Sequence, residues 1–560
     1  MPFQLVDGAL ASLCNGAFAG KDPYAVVKRL VWAYVVLRLV QQWHLMTGEG
    51  VRRAVAEVVV RLLKRLPFVQ SKLRKEADKV RASIQPTLIK DLTEPRKHLP
   101  AEGRPEEQLM ELMERRLELD TKGWHGGQVT GAIYHGEKAY TEFVGRVYGM
   151  FAFCNPLHAA LHPATRQMDA EVVQMVVNLY RGGEGCCGAF TTGGTESILM
   201  AVKAYRDWAR ATRGVTRPNI VVCTTAHAAF DKAGQYFGVQ VRKARPTPDT
   251  LEIDLAHVRR LMDANTVALV GSAPQYPYGT VDDIEELGRL AAKTGVGLHV
   301  DCCLGGFLLP FMEEAGYPLP KRCDFRVGGV TTISCDPHKY GFAPKGGSVL
   351  MFRSAELRHH MYTYVTDWTG GIYATPTILG SRPGGVVAAT WAAMMRHGRA
   401  QYVETTRTIV AATRAMEAGV RSIAGLEVLG RADVCVVAFG AAAGSGLNCY
   451  SVSDCMKEQF GWELATLQSP PGVHLATTLP SARNADKFVA DLRAAVAAVR
   501  ADGSGKYANG TAGLYGTVAA LPAGFVEESV KVFLDVMSST DDGQAAEAAE
   551  AAEAVPGGGK

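Results

Sequence analysis

Four stretches of this chain combine residue types and spacings that suit chemistry on a carbonyl cofactor. The first is the turn Cys335-Asp336-Pro337-His338-Lys339-Tyr340-Gly341, which follows the β-branched run Val330-Thr331-Thr332-Ile333. That run reads as a buried strand, and Asp336-Pro337 and Gly341 force the chain to turn, so Lys339 stands where a strand exits into a cleft. A lysine so placed can hold pyridoxal phosphate as a Schiff base, with His338 available to a phosphate. In Thr191-Thr192-Gly193-Gly194-Thr195-Glu196-Ser197 a strand ends, two glycines let the backbone turn, and Ile198, Val202, Tyr205 and Ala209 open an amphipathic helix. Free amides at that helix start, with the Thr195 hydroxyl, suit a phosphate. His227, just after the run Asn219 to Cys223, is placed to lie against an aromatic ring. Asp301 ends the apolar run from Leu298, and a buried carboxylate needs a cationic partner such as a protonated pyridine nitrogen.

Taken singly, each stretch has an ordinary alternative: a solvated lysine, a glycine turn, a structural histidine, a capping or turn carboxylate. Taken together they fall in a workable order of phosphate cradle, stacking histidine, ring-nitrogen aspartate and Schiff-base lysine. Asp301 precedes Lys339 by 38 residues, which leaves room for one helix-containing crossover between neighbouring strands.

The elements that must position these residues are legible as alternating β-rich and helical stretches from about Pro100 onward, which argues for an α/β fold with a mainly parallel central sheet. The strand candidates are Cys186 to Phe190, Asn219 to Cys223, Thr266 to Val270, Gly297 to Val300, Val330 to Ile333 and Ser348 to Phe352. Each singled-out residue falls just after one of them, at the strand ends where such sheets gather ligands. From about Ala400 the pattern becomes smaller and mixed. Helical stretches lead to short strands at Glu427 to Leu429, Val434 to Phe439 and Val473 to Thr477, then a helix to about Ala501.

Length and composition bound the rest. A chain of 560 residues with 47% hydrophobic residues can bury a large core and form more than one unit, and a formal charge of +4 gives no case for nucleic acid as a partner. The twelve cysteines show no Cys-x-x-Cys and no metal-ligand spacing, so reduced thiols are expected and no metal is. From Ala25 to Met46 the chain is mostly apolar but interrupted by Lys28, Arg29 and Arg38, which fits either a single spanning anchor or a helix lying on a membrane or in the core. Ten basic residues between Val51 and Ser83 share an amphipathic pattern that suits an anionic membrane surface, or else the solvated side of a packed helix. As a positive flank they would stay on the cytosolic side of any span.

The motifs Thr192-Gly-Gly-Thr-Glu-Ser197, Ala226-His-Ala-Ala-Phe230, His299-Val-Asp301 with Leu304-Gly-Gly-Phe307, and Asp336-Pro-His-Lys-Tyr-Gly-Phe-Ala-Pro-Lys-Gly346 resemble those of the fold-type I pyridoxal-phosphate enzymes of the group II decarboxylase family. Within it they are most similar to the lyases of phosphorylated sphingoid bases. The likeness runs from about Gly126 to Thr540 and includes Gly131-Ala-Ile-Tyr134, Asn155-Pro-Leu-His158, Asp367-Trp-Thr-Gly-Gly-Ile-Tyr373 and Gly380-Ser-Arg-Pro-Gly-Gly385. Two departures are Pro337, where threonine is usual, and Cys302, where alanine is usual.

The resemblance implies a fold-type I transferase fold with a smaller C-terminal α+β domain and an N-terminal helical anchor region. It divides the chain into an anchor region (1–100), a helical segment serving dimer and site (101–155), a large cofactor domain (156–398), a small domain (399–540) and a disordered tail (541–560). It implies retro-aldol cleavage to a long-chain aldehyde and phosphoethanolamine, with Lys339, Asp301, His227 and Tyr134 catalytic. Gly193, Gly194, Thr195, Ser334, His338 and Asn155 would border the cofactor, and Lys345, Arg382, His158 and Tyr134 the substrate phosphate. It further implies a homodimer whose second subunit offers Gly371 and Tyr373, and an endoplasmic reticulum anchor that leaves the body in the cytosol. An amino-acid decarboxylase on the same fold and a catalytically silent scaffold remain alternatives.

Overall fold

The structure, a computed structural model, describes residues 98–121, 124, 126–502, 506–508 and 523–539, with a few positions between 66 and 82. The segment from Ala25 to Met46 and most of the basic stretch lie outside the described residues, among which no helix is long and apolar enough to cross a membrane. Residues 104–519 form one compact unit; residues 1–103 and 520–560 group separately.

In the large unit three helices come first: α1 (Glu106–Thr121), α2 (Lys138–Met150) and α3 (Pro163–Leu179). There follow β1 (Cys187–Thr191), α4 (Gly194–Arg213), β2 (Asn219–Cys223), α5 (Ala229–Phe237), β3 (Gln240–Ala244), α6 (Leu255–Leu261), β4 (Thr266–Ser272), α7 (Ile284–Thr294), β5 (Gly297–Cys302), β6 (Thr332–Cys335) and β7 (Ser348–Phe352). These strands form one seven-stranded sheet in the order β1-β7-β6-β5-β4-β2-β3.

The sheet is mixed, not uniformly parallel. The pairs β2–β3, β2–β4, β4–β5 and β5–β6 are parallel, whereas β7 runs antiparallel to both β6 and β1. The cause lies in the connection. Residues 336–347 hold the Lys339 turn and no helix, so the chain returns beside β6 without the crossover that a parallel neighbour needs. β3 carries no clear strand pattern in the sequence, because its Gln-Val-Arg-Lys-Ala is partly exposed and charged, as an edge strand tends to be.

Both faces of the sheet are covered, as the alternation along its strands requires. Ile220, Val222, Ala268, Val270, Leu350 and Phe352 pack with Ile198, Leu199, Val202 and Tyr205 of α4 on one face. Val221, Leu269, Val349 and Met351 join Val172 and Val176 of α3 and Leu287 of α7 on the other. Each such buried aliphatic side chain contributes about 1.5–3 kcal/mol, so α4 is held by its inner stripe. It ends at Gly214, whose φ of 65° is the left-handed conformation a helix terminus favours.

After α8 (Ala355–His359) an exposed hairpin of β8 (Thr363–Val365) and β9 (Tyr373–Thr375) leads to α9 (Gly384–Arg421), which breaks at Gly398 where φ is 55°. The smaller layer holds β10 (Leu426–Val428), β11 (Val436–Ala441), β12 (Ala465–Gln468) and β13 (Pro471–Ala476) in the order β10-β11-β13-β12, all antiparallel. Trp462, Phe439 and Phe488 fill its core.

Candidate active site

Lys339 sits at the junction of two cavities. One, about 330 Å³, is lined by Thr192, Gly193, Gly194, Thr195, His227, Asp301, Asp336, His338 and Lys339, with Glu196, Ile198 and Cys303. The other, about 410 Å³, is lined by His227, Asp301, Cys303 and Lys339 again, and adds Tyr134, Tyr276, Pro274, Leu304, Ala132 and Ala476. The ends of β1, β2, β5 and β6 thus deliver the four sequence motifs to one place.

The Lys339 turn is held from behind by phenols. Tyr140 of α2 donates to the Phe342 carbonyl (2.8 Å), Tyr402 of α9 donates to the Gly341 carbonyl (2.9 Å), and Tyr340 donates to the Thr477 carbonyl (2.7 Å). Phe342 itself has a φ of 60°, a left-handed conformation unusual for a side chain of that size, and the flanking anchors hold it there.

Within the turn, Lys339 Nζ lies 3.0 Å from Asp336 Oδ2 and His338 Nε2 lies 3.5 Å from the same oxygen. Burial acts to raise the Asp336 carboxyl, but the Lys339 ammonium and then His338 outweigh it and hold the group well below the usual carboxylate range. Burial likewise acts to depress Lys339, and the Asp336 carboxylate outweighs it, holding the amine above the ordinary lysine value. The pair must therefore give up a proton before Nζ can act as a nucleophile. From sequence Asp336 reads only as a turn former; its position three residues before Lys339 is the available signal for this pair.

Asp301 is buried at the end of β5, and its Oδ1 accepts from the Cys303 amide (3.0 Å) and the Ser334 hydroxyl (3.3 Å). Ser334 lines neither cavity; it stands behind Asp301. His227 lines both, and its Nδ1 accepts from the Ala229 amide (3.0 Å), which fixes the ring plane and leaves the proton on Nε2. A Cβ on Gly194 would lie 2.7 Å from Cys303 Sγ and 2.8 Å from Asp336 Oδ2, so only glycine keeps the start of α4 this close to the lysine turn.

Tyr134 is buried beside Lys339, meets Tyr340 edge-on at 4.8 Å, and carries the Lys345 ammonium 4.6 Å from its ring centroid. Burial pushes the Tyr134 phenol up, with the Lys339 charge pulling the other way, so it stays protonated at neutral pH. Burial, and then the charge of Lys339, lower Lys345 to about 8.

The other expected residues lie elsewhere. The Arg382 guanidinium pairs with Asp169 (3.1 and 3.2 Å), and its amide donates to Asn155 Oδ1 (3.0 Å). Lys345, Arg382, Asn155 and His158 line neither cavity, and His158 is exposed. Gly371 and Tyr373 belong to the exposed hairpin, where Tyr373 meets Trp368 edge-on at 6.3 Å.

The residues present fit pyridoxal phosphate. A helix start with a glycine that admits no Cβ suits the phosphate, a buried carboxylate suits the ring nitrogen, and a lysine amine stands between them.

Comparison with known proteins agrees. The pyridoxal-dependent decarboxylase conserved domain matches residues 89–442. The chain is 41% identical over 533 residues to the sphingosine-1-phosphate lyase of Drosophila melanogaster, covering 94% of this chain and 96% of that protein. It is 39% identical over 485 residues to the sphingosine-1-phosphate lyase of Saccharomyces cerevisiae, covering 85% and 82%. Among solved structures, a sphingosine-1-phosphate lyase of Burkholderia pseudomallei superposes with a TM-score of 0.71 at 41% identity, covering 74% of this chain and 95% of that one.

Proposed function

This chain belongs to the pyridoxal-dependent decarboxylase family and, within it, to the sphingosine-1-phosphate lyases, and from that premise we propose how its residues divide the reaction. It is a pyridoxal-phosphate-dependent carbon–carbon lyase that cleaves a phosphorylated long-chain base to a long-chain aldehyde and phosphoethanolamine. The observation that carries the assignment of roles is that two cavities share Lys339, one ringed by polar groups and the other walled by Pro274, Leu304, Ala132 and Ala476.

Bound pyridoxal phosphate supplies the sink for the electrons of the broken bond. Gly193, Gly194 and Thr195 at the start of α4 would hold its phosphate, His227 would face its ring, and Asp301 would compensate the charge of its ring nitrogen. Lys339 Nζ, at the junction of the two cavities, would anchor it. Tyr134, kept protonated, serves as a hydrogen-bond donor on the substrate side, and Lys345 behind it supplies positive charge toward the substrate phosphate. The apolar wall beyond receives the start of the hydrocarbon chain.

The reading extends to assembly and place. The active form is a homodimer in which the second subunit brings its hairpin with Gly371 and Tyr373 to this site, with Arg382 and His158 serving the substrate phosphate and Asn155 bordering the cofactor. The exposure of Tyr364, Trp368, Ile372 and Tyr373 on one hairpin supports this. The segment from Ala25 to Met46 and its basic flank support anchoring to the endoplasmic reticulum membrane with the catalytic body in the cytosol.

The test is product analysis. Purified protein loaded with pyridoxal phosphate should release aldehyde and no carbon dioxide from a phosphorylated long-chain base, and no carbon dioxide from amino acids. Carbon dioxide from an amino acid, without aldehyde from the base, would make it a decarboxylase.

A further inference from the structure

Behind Asp301 runs a line of buried polar groups that reaches the helix carrying the phosphate cradle. From Asp301 Oδ1 it passes to Ser334 Oγ (3.3 Å), His299 Nε2 (3.2 Å), from His299 Nδ1 to Thr332 Oγ1 (2.8 Å), to the Tyr205 hydroxyl (2.6 Å), and from there to Thr331 Oγ1 (2.7 Å). His299, Thr332, Ser334 and Tyr205 are all at most 1% exposed. Tyr205 lies eleven residues into α4 from Gly194, so the line joins the helix that starts the phosphate site to β5, which carries the ring-nitrogen carboxylate, and to its neighbour β6. Its ring fits only because residue 297 is glycine: a Cβ there would lie 2.1 Å from Tyr205 Cε1.

The line has a direction. An ionised Asp301 can only accept, so the Ser334 hydroxyl donates to it and accepts both from His299 Nε2–H and from the Cys303 thiol (3.2 Å). Burial, opposed by Asp301, lowers His299 to about 4, so the imidazole is neutral and its Nδ1 accepts from Thr332, which accepts in turn from the Tyr205 phenol. Thr332, His299 and Ser334 then each donate once toward the carboxylate, while Thr331 at the far end donates to the Leu298 carbonyl (3.1 Å).

We infer that His299 and Tyr205 are positioning residues for the cofactor, fixing the charge and aim of Asp301 and its distance from the phosphate cradle through this directed run of hydrogen bonds. The inference rests on the assignment of Asp301 to the ring nitrogen. A hydrogen bond to a charged group is worth more than a neutral one, and losing its donor leaves the carboxylate less supported. The ring nitrogen's proton then shifts toward Asp301.

The experiment uses the full-length protein with pyridoxal phosphate labelled with 15N in its ring. His299→Leu should raise the cofactor Kd about tenfold and move the ring-nitrogen resonance toward the unprotonated value. Tyr205→Phe should move both in the same direction by less, and His299→Gln, whose amide can still donate to Ser334, should recover most of the loss. Wild-type Kd and resonance in both His299→Leu and Tyr205→Phe, with only the melting temperature lowered, would overturn the inference. If wild-type protein itself showed no protonated ring nitrogen, the assignment of Asp301 would fail instead.

Discussion

Lys345 makes the clearest single-residue prediction. Its amine, lowered to about 8 by burial and by Lys339, is charged below that pH and neutral above it. As a cation for the substrate phosphate it binds in the charged form, so KM for the phosphorylated base should be level from about pH 7 to 8 and rise by up to about tenfold per pH unit above that. Lys345→Met should show a high KM at every pH without that inflection, measured by steady-state aldehyde release; an unchanged inflection would assign it to another group. The same residue marks where sequence and structure part. Its place six residues after Lys339, past a glycine and a proline, leaves its direction open, and the structure shows its ammonium packed on the Tyr134 ring. His299 was legible in principle, since it shares a strand face with Asp301 at a spacing of two, but its partners Thr332 and Tyr205 come from other elements and no local pattern names them.

At the scale of elements, the start of α4 is the tightest joint in the site. Gly194→Ala would drive a Cβ against Cys303 and Asp336, a clash that costs roughly 1–3 kcal/mol in relaxation. The cofactor Kd, followed by absorbance titration, should rise by about tenfold to a hundredfold; a wild-type Kd would show that the helix start has room to move. The strands that carry Asp301 and Lys339 were legible because their apolar runs and turn residues are contiguous in the chain. The direction of β7 was not, because nothing in Ser-Val-Leu-Met-Phe says which way it runs; the helix-free Lys339 turn decides that. The hairpin β8–β9 escaped for the opposite reason. Its Thr-Tyr-Val and Tyr-Ala-Thr are mostly exposed, so neither shows the buried alternation of a strand packed on a core.

For the whole molecule, a shared site predicts complementation. Lys339→Ala and Tyr373→Ala subunits, each inactive alone, should on co-expression form hybrids with one intact site and recover about a quarter of wild-type activity. No recovery from hybrids isolated as such would place Tyr373 and Lys339 in the same subunit's site. The central assignment is Lys339 as the amine that would hold the cofactor. The most direct measurement is a single-turnover reaction with a labelled phosphorylated long-chain base, run beside borohydride reduction and peptide mapping of the loaded protein. The account predicts cofactor fixed on Lys339 and aldehyde released by wild type, with neither in Lys339→Ala. Equal aldehyde from both proteins, or cofactor fixed on another lysine, would contradict it.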